Sequence, residues 1–538
     1  MYISNVQIKN YRNFKDYEVE LKQFSIIIGE NDAGKSNFID AIKLPLSIND
    51  FRFNSKSLKL SDINKECISE FIAYISGNIE EICNNLENNE DISDVLNSIP
   101  IVEVIIRIVE PKSEFEKAIL KDWIIEVDGT SCYEIKYSFQ PKKSIEIIEY
   151  MIDILNKNSE TEESVFPVEF YEYNITSTNN EKRIPNNKLK NIKISVINAE
   201  RDSFSDSEHL KSNKLISELI EKNLDNKDKA NIHKSYVDFF NNIKTAESFK
   251  QAFEHLDKAE FENIKRYMDR MKLVPNFPNL KNVFSNISIG YGEQFLYQRG
   301  LGTRNFVLLA LLFGYYYKPQ DTFNLVCIEE PEAHLCVNNF NLALDFINKS
   351  KNDDNSLSQI LITSHNPKVI NKLRLDNVIV INENKNKMAA DFSSVDSDYV
   401  NYLAKRPNFD ILKLLFSNRV ILVEGPTEEM FINSILERKE KELIDIEVIA
   451  VGHKGFRTYM DIWLLLNQGN DNKRIGIIRD FDNQDKAKTE HDKYDQKNTN
   501  IHVRTTTNYT FEDDLVVTGD NCTKLSSFLG IDNNEEKV

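Results

Sequence analysis

The chain has 538 residues, with 67 Lys and Arg against 85 Asp and Glu, a formal net charge of −18. At about 150 residues per domain this length implies two to four folded units. The acidic balance argues against a nucleic-acid coat or an anionic-membrane binder, yet leaves room for a metal-dependent nuclease whose carboxylates are neutralised by cations. Hydrophobic residues at 41% and charged residues at 28% exclude disorder of the whole.

Taken in chain order, MYISNVQIKNYRNF has no apolar core of the kind that marks a signal peptide. Residues 2 to 28 alternate apolar and polar, the period-2 mark of successive short strands, the last of them buried. Phe38, Ile39, Ile42 and Leu44 then fall near helical spacing. Residues 48 to 97 are polar around short apolar clusters and read as an insertion of mostly helices, after which Ile101–Glu110 returns to strand character. Trp123–Gly129 and Tyr133–Gln140 read as a hairpin extending that sheet. Between Ser205 and Lys272 the apolar residues lie 3 to 4 apart among many charges, which predicts a helical arm. Apolar strands resume at NLVCIEE and QILITSH. A further α/β unit opens at RVILVEG and runs through IEVIAVG and RIGIIRD. The expected divisions are 1–204, a helical insertion over 205–275, 276–392, a linker over 393–416, and a last domain over 417–538. The longest uncharged apolar run, Phe306–Tyr317, is too short to span a bilayer. The six cysteines form no CxxC pair and read as reduced thiols. The expectation is a cytoplasmic chain with no membrane association.

Three motifs carry phosphate chemistry. Gly29–Ser36 read GENDAGKS, a G-x-x-x-x-G-K-S loop between an apolar strand and a helical pattern. Gly29 and Gly34 permit the turn, Lys35 reaches the β and γ phosphates, and Ser36 can hold Mg²⁺, with Asn31 inside the same loop. In NLVCIEEPEAHL a strand delivers Glu329 where a Mg²⁺-linked acid is needed and Glu330 where a base can polarise water. In QILITSHNP a buried strand ends at Ser364-His365, which favours a γ-phosphate contact by His365. These motifs resemble the Walker A, Walker B and switch-histidine motifs of ABC-type ATPases of the SMC and RecF-like group. The resemblance implies that Gln298–Leu312, with Gly300 and Gly302 before a helix, is the signature loop. That loop would contact ATP held by a second copy, hence a homodimer or higher homo-oligomer. A simple glycine turn into a buried helix is the alternative. VINAERD, Val196–Asp202, resembles a recurring segment of the same group without an assigned role.

The last unit has its own acids: Glu424 and Glu428 in RVILVEGPTEE, Asp480 and Asp482 in RIGIIRDFDN, and Thr510 and Glu512 in YTFEDDL. Alternate residues at a strand end point the same way, so Asp480 and Asp482 are expected to converge on one cation. The set, with the glycine turn VGHKG, resembles a Toprim domain. An α/β chain with an ABC-type ATPase head, a helical insertion and a C-terminal Toprim domain resembles the OLD (overcoming lysogenization defect) nucleases, which include the nuclease subunit of the Gabija anti-phage system. The resemblance implies ATP and Mg²⁺ or Mn²⁺ as cofactors, DNA as substrate, and a helicase or other defence protein as partner. It makes Glu424, Glu428, Asp480, Asp482, Thr510 and Glu512 metal ligands, with Glu424 and Asp480 catalytic. Two hard cations close together need several such oxygens to activate water and stabilise a leaving oxygen. OLD nucleases generally continue into a helical tail with a catalytic lysine. Here 538 − 514 = 24 residues follow Asp514, with Lys524 the near candidate, so weak or partner-dependent cleavage is expected. Topoisomerase and primase readings lack a tyrosine-bearing or zinc-binding partner domain. The reading from another class is an ATP-driven DNA sensor or scaffold whose Toprim domain is inactive or partner-dependent.

Overall fold

A computed structural model of the chain describes residues 1–29, 33–48, 56–88, 91–127, 129–157, 166–198, 224–245, 289–317, 323–351, 358–369, 377–381, 390–391, 411–438, 445–452, 455–467 and 472–531. Asn31, residues 199–202 of the VINAERD segment, His453 and Lys454 of VGHKG, and most of the expected arm and linker lie outside these. The chain divides into two compact units, one of Met1–Ala199, Tyr316–Glu332 and Phe340–Val538, the other of Glu200–Tyr315 and Ala333–Asn339.

In the larger unit, β1 (Tyr2–Tyr11) and β2 (Phe14–Glu20) form a hairpin, and β3 (Phe24–Gly29) is buried along its whole length. The short β4 (Ser47–Ile48) follows the helix Lys35–Lys43. Helices Lys65–Gly77, Ile79–Asn88 and Ser93–Ser98 make up the expected insertion. Next come β5 (Val102–Val109), β6 (Ile124–Val127), β7 (Thr130–Pro141), β8 (Tyr171–Ser177) and β9 (Ile192–Ile197). An antiparallel sheet runs in the order β2-β1-β5-β7-β6, with β8 also on β7, so the Trp123–Gln140 hairpin extends the first sheet as expected. Strand β5 alternates buried and half-buried positions, and Val102, Val104, Ile106 and Ile108 are fully buried on one face.

In the smaller unit, Asn226–Thr245 is a 20-residue helix. The strands β10 (Gly290–Tyr291) and β11 (Gln294–Phe295) pair as a hairpin ahead of the helix Leu301–Tyr317.

The larger unit resumes with β12 (Phe323–Glu329), β13 (Ser358–Ser364), β14 (Val378–Ile381) and β15 (Ala390–Asp391). Its second sheet has the order β15-β14-β3-β13-β12-β9-β4, parallel except for the edge pair β14 and β15. Strands apolar on both faces can be covered only from both sides, so β3, β12 and β13 take central places. Gln359 of β13 joins the two sheets: its side-chain oxygen accepts the Ile3 N–H at 2.9 Å and its amide nitrogen donates to the Ile3 and Lys22 carbonyls at 2.8 and 2.9 Å.

The C-terminal sheet comprises β16 (Arg419–Val423), β17 (Ile446–Ala450), β18 (Arg474–Arg479) and β19 (Ile501–Thr505), all parallel in the order β17-β16-β18-β19. The strand order reverses direction between β16 and β18, the place where open parallel sheets put their ligands. Ala390–Asp391 pairs with β14, and Ile411–Phe416, inside the expected linker, is a short helix.

Gly29 has ordinary strand geometry. Its glycine is required by proximity, because a Cβ there would sit 2.6 Å from the Ile381 carbonyl oxygen of β14 and 3.3 Å from the Ala33 Cβ. Gly29→Ala is therefore expected to destabilise the ATPase part by about 2 kcal/mol through overpacking and to weaken nucleotide binding. Thermal denaturation checks this, and an unchanged melting temperature would remove the close approach as the reason for glycine.

Candidate nucleotide and metal sites

The phosphate loop is built by the end of β3 and the start of the helix Lys35–Lys43. Gly34 caps that helix with φ 108°, a left-handed conformation that L side chains rarely adopt, and the ring of Phe14 and side chain of Asn13 fill the space a Cβ would need. Lys35 is buried, and its ammonium donates to the Gly29 carbonyl at 2.9 Å, so it lies folded across the loop it closes. Ser36 is exposed on the first helical turn. Two residues not singled out from sequence brace this loop from the β1–β2 turn. The Asn13 side chain donates to the Ala33 carbonyl at 2.9 Å and accepts from Asn37 at 2.8 Å. Arg12, at φ 47°, donates to Asn37 and Asp40 at 2.8 Å and to Asp62 at 2.9 Å. The polar, tight YRNF turn was the available signal.

Parallel pairing brings the other two motifs to the same sheet edge. Ser364 of β13 pairs opposite Ile28 of β3, and Glu329 of β12 opposite Thr363 of β13. Glu330 follows at φ 41°, its N–H donating to the Thr363 carbonyl at 2.9 Å, and its carboxylate lies 3.4 Å from Nδ1 of His365. Glu332, absent from the expected set, accepts from the Ser364 hydroxyl at 2.6 Å and from the His365 backbone N–H at 3.0 Å.

In the smaller unit, Gly300 accepts the first helical N–H groups of Leu301–Tyr317. Gly302 lies within that helix and not before it. Its missing side chain admits the His334 carbonyl, which a Cβ would meet at 3.0 Å.

In the C-terminal sheet, Glu424 follows β16 and Asp480 follows the adjacent β18, on either side of the strand-order reversal. The Asp480 N–H lies 3.4 Å from the Glu424 carboxylate, and Phe511 N–H donates to the Asp480 carboxylate at 2.9 Å. The Asp480 carboxyl is pushed up to about 6, first by burial and then by the negative charges of Glu424, Glu428 and Asp482, against the Phe511 hydrogen bond. Directly before it, Arg479 is buried. Burial lowers its pKa while Glu424, Asp482, Asp492 and Asp480 pull it up, and its guanidinium donates to the Asp480 carbonyl at 3.1 Å.

The remaining expected ligands are arranged differently from a row of strand ends. Asp482 stands in a left-handed turn at φ 47°, its N–H on the Tyr509 carbonyl at 3.1 Å, so strand alternation stops at Arg479 and the turn sets its direction. Glu428 is buried at the start of the helix Pro426–Arg438, where its carboxylate accepts the Gly425 N–H at 3.0 Å as a helix cap. Thr510 caps the helix Phe511–Val517 in a reciprocal pair with Asp513, and Glu512 is exposed on that helix's first turn. Asp514, unremarked in the sequence, orders the preceding loop by accepting from the Thr507 and Asn508 N–H groups at 2.7 and 2.8 Å.

Carboxylate oxygens suit a hard divalent cation, and the repulsion that lifts Asp480 is what such a cation would relieve. Among the described residues, no three His, Cys, Asp or Glu side chains are yet gathered to enclose an ion. Glu424, Asp480 and Asp482 fit in chemistry and would have to close further.

A phosphate loop, an acidic strand end and a histidine on one parallel edge define an ATPase head, joined here to a second parallel sheet with acids at its reversal point. The AAA ATPase domain family matches residues 1–370, and the TOPRIM domain of overcoming lysogenization defect protein-like chains matches residues 415–482. The chain thus belongs to the AAA ATPase domain family and carries an OLD-like TOPRIM domain, the domain combination of an OLD-family ATPase–Toprim nuclease. It is similar to Endonuclease GajA of Bacillus cereus strain VD045, 23% identical over 460 residues that cover 82% of this chain and 69% of the relative. The same endonuclease from strain HuB5-5 is 24% identical over 82% of this chain and 71% of its own. An SMC head domain from Thermotoga maritima aligns over 71% of this chain and 94% of its own at 12% identity with a TM-score of 0.30. Among the described residues no helix is long and apolar enough to cross a membrane.

Folding raises the Asp480 pKa from 3.8 to about 6. The folded chain therefore holds a proton that the unfolded chain has lost, and stability falls as pH rises through that window. Asp480→Asn removes the penalty. Without added metal at pH 7.5 it should stabilise the C-terminal domain by about 1 kcal/mol after solvent screening, with the gain fading as pH drops below 6. Denaturant unfolding at the two pH values measures this, and equal stability at pH 7.5 would refute the crowded carboxylate.

Proposed function

We propose that the chain is an ATP-hydrolysing, Mg²⁺- or Mn²⁺-dependent DNA endonuclease of anti-phage defence. In this reading it works in the cytoplasm as a homodimer or higher homo-oligomer, with a helicase or other defence protein as partner. The observation that carries the reading is the placement of Glu424 and Asp480 at the ends of adjacent parallel strands where the strand order reverses, the Asp480 nitrogen 3.4 Å from the Glu424 carboxylate. The endonuclease relatives support DNA as the substrate. The signature-loop reading of Gly300 and Gly302 and the ATP it would share with a second copy support the oligomer.

In the ATPase head, Lys35 holds the β and γ phosphates, Asn31 belongs to the same loop, and Ser36 with Glu329 would hold Mg²⁺. Glu330 takes the proton of the attacking water, and His365, 3.4 Å from it, orients that carboxylate and faces the γ-phosphate. In the Toprim domain Glu424, Asp480 and Asp482 would hold the divalent cation, with Glu428 buried behind them and Thr510 and Glu512 closing from the neighbouring helix. When bound there, the cation would supply activation of a water and stabilisation of the leaving oxygen. Glu424 and Asp480 present the negative charge that binds it, and Arg479 fixes the Asp480 backbone from behind.

The second reading, an ATP-driven DNA sensor or scaffold, draws on the caps that occupy Glu428 and Thr510 and on the open arrangement of the acids. Nicking of supercoiled plasmid by the purified chain with Mg²⁺ or Mn²⁺ separates the two. Nicking is expected to disappear in Asp480→Ala, with ATP hydrolysis within about twofold of wild type. Lys35→Ala should lose nucleotide affinity, while Glu330→Gln should bind ATP and turn it over at least about 100-fold more slowly. Absence of metal-dependent nicking with intact ATPase activity would select the scaffold.

A further inference from the structure

We propose that Glu332 is a positioning residue for ATP hydrolysis, acting through His365. This rests on the assignment of Glu330 and His365 just made. Glu332 lies two residues beyond Glu330, and its side chain is only 9% exposed, whereas that of His365 is 48% exposed. Packing therefore does not fix the imidazole. One carboxylate oxygen of Glu332 does the fixing instead: Oε1 accepts the Ser364 hydroxyl at 2.6 Å and the His365 backbone N–H at 3.0 Å, and lies 3.7 Å from His365 Nδ1. The Ser364 hydroxyl oxygen in turn accepts the Asn366 N–H at 3.0 Å. Glu332, arriving from the neighbouring strand's loop, thereby holds the His365 backbone N–H directly and the Asn366 N–H through the Ser364 hydroxyl. With that backbone fixed, Nδ1 of His365 comes 3.4 Å from Glu330.

The other oxygen makes the case for function over simple loop anchoring. Oε2 of Glu332 is buried with no hydrogen-bond partner among the described residues. Leaving such a group unsatisfied costs on the order of 1–3 kcal/mol, so the position carries a carboxylate at a loss in stability. Local rules are broken in this way mainly where a site needs them broken. A carboxylate accepts a short hydrogen bond from the hydroxyl and another from the N–H through one oxygen, and its reach spans the gap from Glu332 to the end of β13.

Steady-state ATP hydrolysis by the full chain tests the assignment with three substitutions at Glu332, alone and combined with His365→Ala. Glu332→Gln keeps the reach and an accepting oxygen, and is expected to stay within about threefold of the wild-type kcat. Glu332→Asp keeps the charge but falls short of Ser364, and should lose about 10- to 100-fold in kcat, as Glu332→Ala should, with KM for ATP unchanged. In the His365→Ala background none of the three should cost a further factor of more than about two. The reverse order, an active Glu332→Asp beside an inactive Glu332→Gln, would overturn positioning in favour of charge. So would a full additional loss in the His365→Ala background. Wild-type turnover by His365→Ala would overturn the assignment of His365 and this inference together. Loss in His365→Ala with none in Glu332→Ala or Glu332→Asp overturns this inference alone.

Discussion

Parallel strands leave no freedom over where their carboxyl ends fall, and in β3, β13 and β12 the register sets Ser364 opposite Ile28 and Glu329 opposite Thr363. Phosphate loop, histidine and acidic pair therefore meet on one edge although the loop ends at Ser36 and the other two begin at Glu329. What holds the strands in place is burial. Ile26, Ile27 and Ile28, Val326, Cys327 and Ile328, and Leu361 and Ile362 are all at or near zero exposure, so both faces of these strands are held inside the core. The close approach of Gly29 to Ile381 and the left-handed Gly34 then shape what the edge presents.

The same geometry is used again in the C-terminal sheet, with the opposite electrostatic result. Around the phosphate loop, Arg12 and Lys35 answer the carboxylates and carbonyls near them. After β16 and β18 the acids face one another, and Arg479 beside them donates to the Asp480 backbone carbonyl and lies 3.2 Å from His491 Nδ1. Repulsion of that kind is destabilising in the folded chain and becomes an asset once a cation is shared among the acids.

The sequence made the central parts of both sheets legible, since continuous apolar strands and G-x-x-x-x-G-K-S spacing depend on local chemistry alone. The Trp123–Gln140 hairpin and the helices after Ile48 were legible for the same reason. Misplaced features turn on backbone direction. The D-x-D rule carries strand alternation past Arg479, but Asp482 sits at φ 47°, and the cap that Thr510 forms on its helix is not legible from the acid spacing. Gly302 reads as a turn from its spacing, yet it is helical and makes room for a carbonyl. Glu332 escaped notice because its partners, Ser364 and His365, lie on another strand, and hydrogen bonds between distant segments leave no periodic trace.

Gln359 has a consequence for how the molecule comes apart. It is 1% exposed, and its amide makes three hydrogen bonds, to Ile3 twice and Lys22 once, across the junction of the antiparallel and parallel sheets. Separating the sheets would strand a primary amide in apolar surroundings with its donors and acceptor unmet. The two sheets should consequently open as one cooperative block, with amide protons of β1 and β13 exchanging at a common rate, while the C-terminal sheet, with its own separate hydrogen-bond ladder, is free to open at another.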